Sequence, residues 1–114
     1  MMTSEALKNY GANTEEGLGR CMNNESFYIR LVGMGLNDAN FGKLKEAVAA
    51  GDVKEAFEAA HALKGVTGNL ALTPIFKPVS ELTELLRGKE EMPNVDSLVN
   101  QVLEQWQKAR ALNA

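Results

Sequence analysis

The stretch Asp52-Val53-Lys54-Glu55-Ala56-Phe57-Glu58-Ala59-Ala60-His61-Ala62-Leu63-Lys64-Gly65-Val66-Thr67-Gly68-Asn69-Leu70-Ala71-Leu72 decides how the rest of the chain is read. Val53, Ala56, Ala60, Leu63, Thr67 and Leu70 step through it by three and four residues, the spacing of a helix with one buried stripe. Asp52 stands where a helix cap is expected, with Glu55 three residues on as in a capping box. At about 100° per residue, Phe57, His61, Lys64, Gly65 and Gly68 gather on a second side, centred roughly 115° from the stripe. His61 therefore faces outward, one turn from Lys64 and Gly65 and two turns from Gly68. The glycines are out of place. Each costs about 1 kcal/mol relative to alanine inside a helix, where an ordinary surface residue would serve. Bare backbone beside an exposed imidazole leaves room for a bulky partner to approach the ring.

Helical periodicity continues on both sides. Upstream, Ser4–Tyr10 is a short segment closed by Gly11, and Thr14 is positioned to cap a second, with Glu15 and Glu16 at its positive end. Asn24 caps a third segment, in which Phe27, Leu31 and Met34 form the expected buried stripe. Asp38 caps a fourth, with Phe41, Leu44 and Val48 on one face until Gly51 ends it. Downstream, Thr73-Pro74 is a start signal for a segment running through Leu82, Leu85 and Leu86 to Gly88, with Pro78 expected to kink its start. Asn94 precedes Val95, Leu98, Val102, Trp106 and Ala109, again three and four apart. No alternating strand pattern bounded by hairpin turns is present. The expected fold class is all-α: an antiparallel up-down four-helix bundle with short additional N-terminal helices. One domain over residues 1–114 is expected, with the core bundle at about 24–112.

Composition narrows the function. With 114 residues, 45% of them hydrophobic, the chain suffices for one compact domain. Fifteen acidic and twelve basic side chains leave no electrostatic footprint for nucleic acid. No apolar run approaches the ~18 residues of a membrane helix. Residues 1–22 carry Glu5, Lys8, Glu15, Glu16 and Arg20 without an apolar stretch, which argues against a signal peptide. The single Cys21 fits a reducing cytoplasm, where a small core role is expected for it. Met1 and the charged N-terminal segment lead to the expectation of a free-standing protein rather than a piece of a longer one.

The outward face suits phosphoryl transfer. A free imidazole titrates near about 6.5 and is a nucleophile when neutral, able to take a phosphoryl group covalently. Lys64 offers a flexible ammonium for phosphate oxygens. Such transfer needs positioning and charge stabilisation above all. A lone helix-surface histidine is ordinarily solvated decoration and a surface lysine is uninformative; the shared face with two glycines is what singles out His61. One histidine and one cysteine, 40 residues apart, cannot furnish a zinc site without carboxylate help, so no metal is assigned. No G-x-S-x-G turn marks a hydrolase, and Gly33-Met34-Gly35 lacks the lysine of a phosphate loop.

The run Ala60-His61-Ala62-Leu63-Lys64-Gly65-Val66-Thr67-Gly68-Asn69-Leu70 resembles the H-x-L-K-G signature of the histidine-containing phosphotransfer (HPt) domains. Gly51-Asp52, the segment Gly17–Tyr28, and Ser80-Glu81-Leu82 through Leu86 resemble the family too, so the likeness is read over roughly residues 12–110. The resemblance implies an up-down four-helix bundle with His61 phosphorylated, Lys64 stabilising the phosphoryl group, and Gly65 and Gly68 giving steric clearance. Ala71 departs from the glycine usual at the end of the motif, Pro74 and Pro78 are unusual in the next helix, and Phe57 replaces a more often polar residue. Phe57 borders the stripe and the outward face, and a partly exposed docking role is expected for it.

The expected function is that of a phosphorelay intermediate, a phosphoryl carrier and not an enzyme. His61 accepts the group from a receiver-domain aspartate or a kinase and passes it to another receiver. Response-regulator receiver domains and an upstream hybrid histidine kinase are the expected partners, without nucleic acid or membrane. No cofactor is expected in this chain, which is read as a cytoplasmic monomer. Two rivals stand beside this reading. One is a helical interaction module without chemistry. The other is the phosphoacceptor and dimerisation module of a sensor kinase, which resembles H-E-x-x-[ST]-P; Ala62 and Gly65–Asn69 supply neither the acidic residue nor the proline.

Overall fold

The computed structural model describes residues 1–113, which form seven helices and, among these residues, no strand. They are α1 (Ser4–Tyr10), α2 (Thr14–Arg20), α3 (Glu25–Leu36), α4 (Asn40–Ala50), α5 (Val53–Asn69), α6 (Thr73–Leu86) and α7 (Asp96–Ala111). The all-α expectation holds. Neighbours α4, α5, α6 and α7 pack in succession as an antiparallel bundle, because the short connections at Gly51-Asp52 and Leu70–Leu72 fold each helix back on the last. Gly51 takes a left-handed φ of +71° and ends α4, and the Asp52 carboxylate then accepts from the Glu55 N–H at 3.1 Å to start α5.

The core follows the stripes read from α4 to α7, with corrections. Phe41, Leu44, Ala56, Ala60, Leu63, Thr67, Leu82, Leu86 and Val102 are buried as read, Ile75 and Val79 join them, and Val48, Val53, Leu98 and Trp106 are only half-buried. Leu85 is not part of the stripe and is 41% exposed. The α6 helix continues unbroken through Pro78, whose ring is buried. Thr14 and Thr73 do not cap: Asn13 accepts from Glu16 N–H at the start of α2, and α6 begins at Thr73 with no side-chain cap. Asp38 accepts instead from the Asn40 N–H at 2.8 Å, which moves the start of α4 to Asn40.

The face of α3 is rotated from its expected position. Tyr28, Val32 and Leu36 are buried, whereas Phe27 and Met34 are 45% and 62% exposed and Leu31 is half-buried. Both sets are spaced as helical stripes, so contacts decide between them. A Cβ on Gly35 would lie only 2.5 Å from Leu70 Cδ1 and 3.2 Å from Val66 Cγ1, so glycine lets α3 sit tight against the end of α5. On the far side, Trp106 of α7 stacks on Phe41 with ring centroids 4.6 Å apart and donates its indole N–H to the Leu36 carbonyl at 2.8 Å.

The N-terminal segments close the open end of α5. Helix C-termini leave their last carbonyls without partners inside the helix. Here Arg20 donates to the Gly68 and Asn69 carbonyls at 2.7 and 3.0 Å, the Tyr28 hydroxyl to Leu70 O at 2.8 Å, and the Asn13 N–H to Ala71 O at 2.9 Å. Ala71 itself stands at φ +57°, a left-handed turn that lets the Leu72 N–H reach back to Thr67 O at 2.9 Å. This is why glycine would be at home there.

Candidate functional site

The cap at Asp52 and the buried stripe fix the rotation of α5, and with it the outward direction of His61. The imidazole is exposed, and it borders an open cavity of about 310 Å³ lined by Lys64, Gly65, Gly68, Asn69 and Phe76. One turn back, the half-buried Phe57 ring lies nearly parallel to it, with centroids 5.7 Å apart and planes inclined by 11°. The structure thus brings Phe57, His61, Lys64 and Gly65 to one face.

The two glycines differ. A Cβ on Gly65 would meet nothing within 4 Å, so packing does not require a glycine there. At Gly68 the clearance read from sequence is already filled: a Cβ would lie 3.0 Å from Cε1 and 3.3 Å from Cδ1 of Phe76. Gly68 admits the chain's own aromatic ring from α6.

Helix α6 and the residue that caps its C-terminus supply three site residues that the reading of α5 missed: Phe76 and Glu84 from the helix and Arg87 just past it. Glu84 Oε1 lies 3.8 Å from Lys64 Nζ. The same carboxylate accepts from Arg87 through both oxygens, Nε to Oε2 at 3.1 Å and Nη2 to Oε1 at 3.2 Å. The guanidinium also sits over the Phe57 ring, 5.1 Å from its centroid. The hydrogen bonds from Arg87 hold the Glu84 carboxyl below the usual carboxylate range, helped by the Arg87 charge and more weakly by Lys64 and His61. Glu84 in turn raises Arg87. The face thus carries one nucleophile, two cations and one carboxylate shared between the cations. A sequence signal for the missed residues exists: Phe76, Ser80, Glu84 and Arg87 follow one another by four, four and three residues beside the buried stripe of α6.

A family model described as the Hpt domain matches residues 37–112. The chain belongs to the Hpt domain family. No curated protein and no solved structure adds a match to it. Hpt domains carry phosphoryl groups on a histidine in phosphorelays, as carriers rather than catalysts, and interact with receiver domains and kinases. The match spans α4 to α7 and so contains His61 and every α6 residue of the face. Residues 12–36, over which the family likeness was also read, lie outside it. Among the described residues of this Hpt domain, no helix is long and apolar enough to cross a membrane. No cluster of His, Cys, Asp and Glu suited to a metal gathers among them either.

Proposed function

We propose that this Hpt domain is a phosphorelay intermediate whose phosphoacceptor is His61. A ring nitrogen attacks the phosphorus of an aspartyl phosphate on a receiver domain. The new P–N bond forms as the P–O bond to the carboxylate breaks, and the ring N–H proton passes to solvent. The reverse step delivers the group to the aspartate of another receiver. Lys64 neutralises phosphoryl oxygens, and Gly65 keeps the approach open. Phe57 contributes apolar surface to the docking face. The divalent metal of the reaction belongs to the receiver, and no cofactor is assigned to this chain, which acts as a cytoplasmic monomer.

The observation that supports this reading is the exposed His61 imidazole on a face with Lys64 one turn on and open space over Gly65. Profiling the purified protein against phosphorylated receiver domains tests it. The expected result is label that is acid-labile and alkali-stable on this chain. Absence of label with every receiver of the source genome would favour an interaction module without chemistry.

A further inference from the structure

We propose that Glu84 is a counter-ion which an arriving phosphoryl group must displace, so that it limits how long His61 holds phosphate. The inference rests on His61 being the phosphoacceptor. It is carried by one arrangement: a single carboxylate engages both cations of the face, Lys64 at 3.8 Å and Arg87 through two hydrogen bonds. Arg87 in turn covers Phe57, which lies along His61, so Lys64, Glu84, Arg87 and Phe57 form one connected run of contacts that reaches the imidazole through Phe57. None of them is buried enough to be locked. Glu84 is 57% and Arg87 52% exposed at the side chain, and exposed ion pairs exchange partners at small cost.

A phosphoryl dianion on His61 competes with Glu84 for the same two cations, and the carboxylate repels it. Cations turned to the phosphoryl oxygens oppose protonation of the imidazole, which is needed before the ring leaves phosphorus. Whatever holds the cations back shortens the life of phosphohistidine. Glu84 does this continuously, and it favours passing the group onward over storing it. In this role Glu84 acts through Lys64 and Arg87 and is a positioning residue.

Phosphoramidate provides a test without any protein partner. An imidazole nitrogen forms a P–N bond as the P–N bond of phosphoramidate breaks, and the leaving nitrogen departs as ammonium with the ring proton. Phosphohistidine level and decay after donor removal are followed by phosphorus NMR for wild type, Glu84→Gln, Glu84→Asp, and Glu84→Gln combined with Lys64→Gln and Arg87→Gln. Glu84→Gln is expected to lengthen the phosphohistidine lifetime about threefold, of the size of an exposed charge interaction, with thermal unfolding unchanged. Glu84→Asp should fall back toward wild type, and the gain should vanish when both cations are removed. An unchanged lifetime in Glu84→Gln overturns the role of Glu84 while leaving His61 as acceptor intact. A gain that persists without the cations overturns it too, because the carboxylate then acts by direct repulsion alone. Wild type that takes no phosphate on His61 overturns the acceptor reading itself, and the Glu84 role with it.

Discussion

The ring of Phe76 fills the space beside Gly68, its Cε1 3.0 Å from where a Cβ would stand, while the equivalent space beside Gly65 is open. Two glycines one turn apart on the same helix face thus do different work, and substitution separates them. Gly65→Ala should stabilise the fold by up to about 1 kcal/mol through helix propensity. Gly68→Ala should forfeit that gain, because the Phe76 ring has to shift. Chemical denaturation of the two variants checks the contrast. Gly65→Leu should leave the fold near wild-type stability yet slow transfer from a phosphorylated receiver at least about tenfold; equal stability with unchanged kinetics would assign Gly65 no role in access.

Phe57 is half-buried against the core on one side and stacked on His61 on the other. Phe57→Ala should therefore cost about 1–2 kcal/mol, less than the roughly 3–5 kcal/mol of a core phenylalanine. The same variant should weaken receiver binding by about 1 kcal/mol. Urea denaturation and receiver titration measure the two effects separately. A full core-sized stability loss with unchanged affinity would sink the docking role.

Ala71 stands in the left-handed region at φ +57°, where a Cβ costs about 1 kcal/mol or more. Ala71→Gly should raise stability by about 1 kcal/mol, read as a shift of the denaturation midpoint at constant slope. Destabilisation would show that the Ala71 methyl, buried in this turn, contributes more by packing than the backbone loses by strain.

Tyr28 is packed under Gly17 and donates its hydroxyl to Leu70 O, and burial, its largest cause, pushes its pKa up to about 12. A folded-state pKa above the unfolded value near about 10 means that the neutral phenol contributes stability fully below pH about 10. That contribution is lost as pH rises from there toward about 12. Tyr28→Phe should cost about 1–2 kcal/mol at neutral pH, since it leaves a buried carbonyl without its donor. It should also flatten the loss of stability in the alkaline window. Denaturation at pH 8 and at several values above about 10 tests both parts.

How much of this was legible in the sequence depends on whether a feature is local. The cap at Asp52, the stripe from Ala56 to Leu70 and the outward direction of His61 are set by residues within one helix, and they were readable. The left-handed end at Ala71 was visible only as a departure from glycine. The face of α3 was misread because Phe27-Leu31-Met34 and Tyr28-Val32-Leu36 are both largely apolar and both at helical spacing, the first by four and three and the second by four and four. Only the approach of Gly35 to Leu70 and the reach of Tyr28 to its carbonyl choose the second. Phe76, Glu84 and Arg87 were missed for a related reason: they join His61 through the rotation of α6 after the Leu70–Leu72 turn, which periodicity in α5 does not specify. Filling of the Gly68 space by Phe76 depends on the same rotation.

Phosphate transfer to His61→Gln bears most directly on the role of this face. Wild type and variant are incubated with the same phosphorylated receiver, and acid-labile, alkali-stable label is counted on each, with circular dichroism confirming equal helicity. Because the His61 side chain is exposed and outside the core, glutamine should leave the fold unchanged while label falls to background. Label on the folded variant at the wild-type rate would place the phosphoryl group elsewhere and contradict His61 as the acceptor.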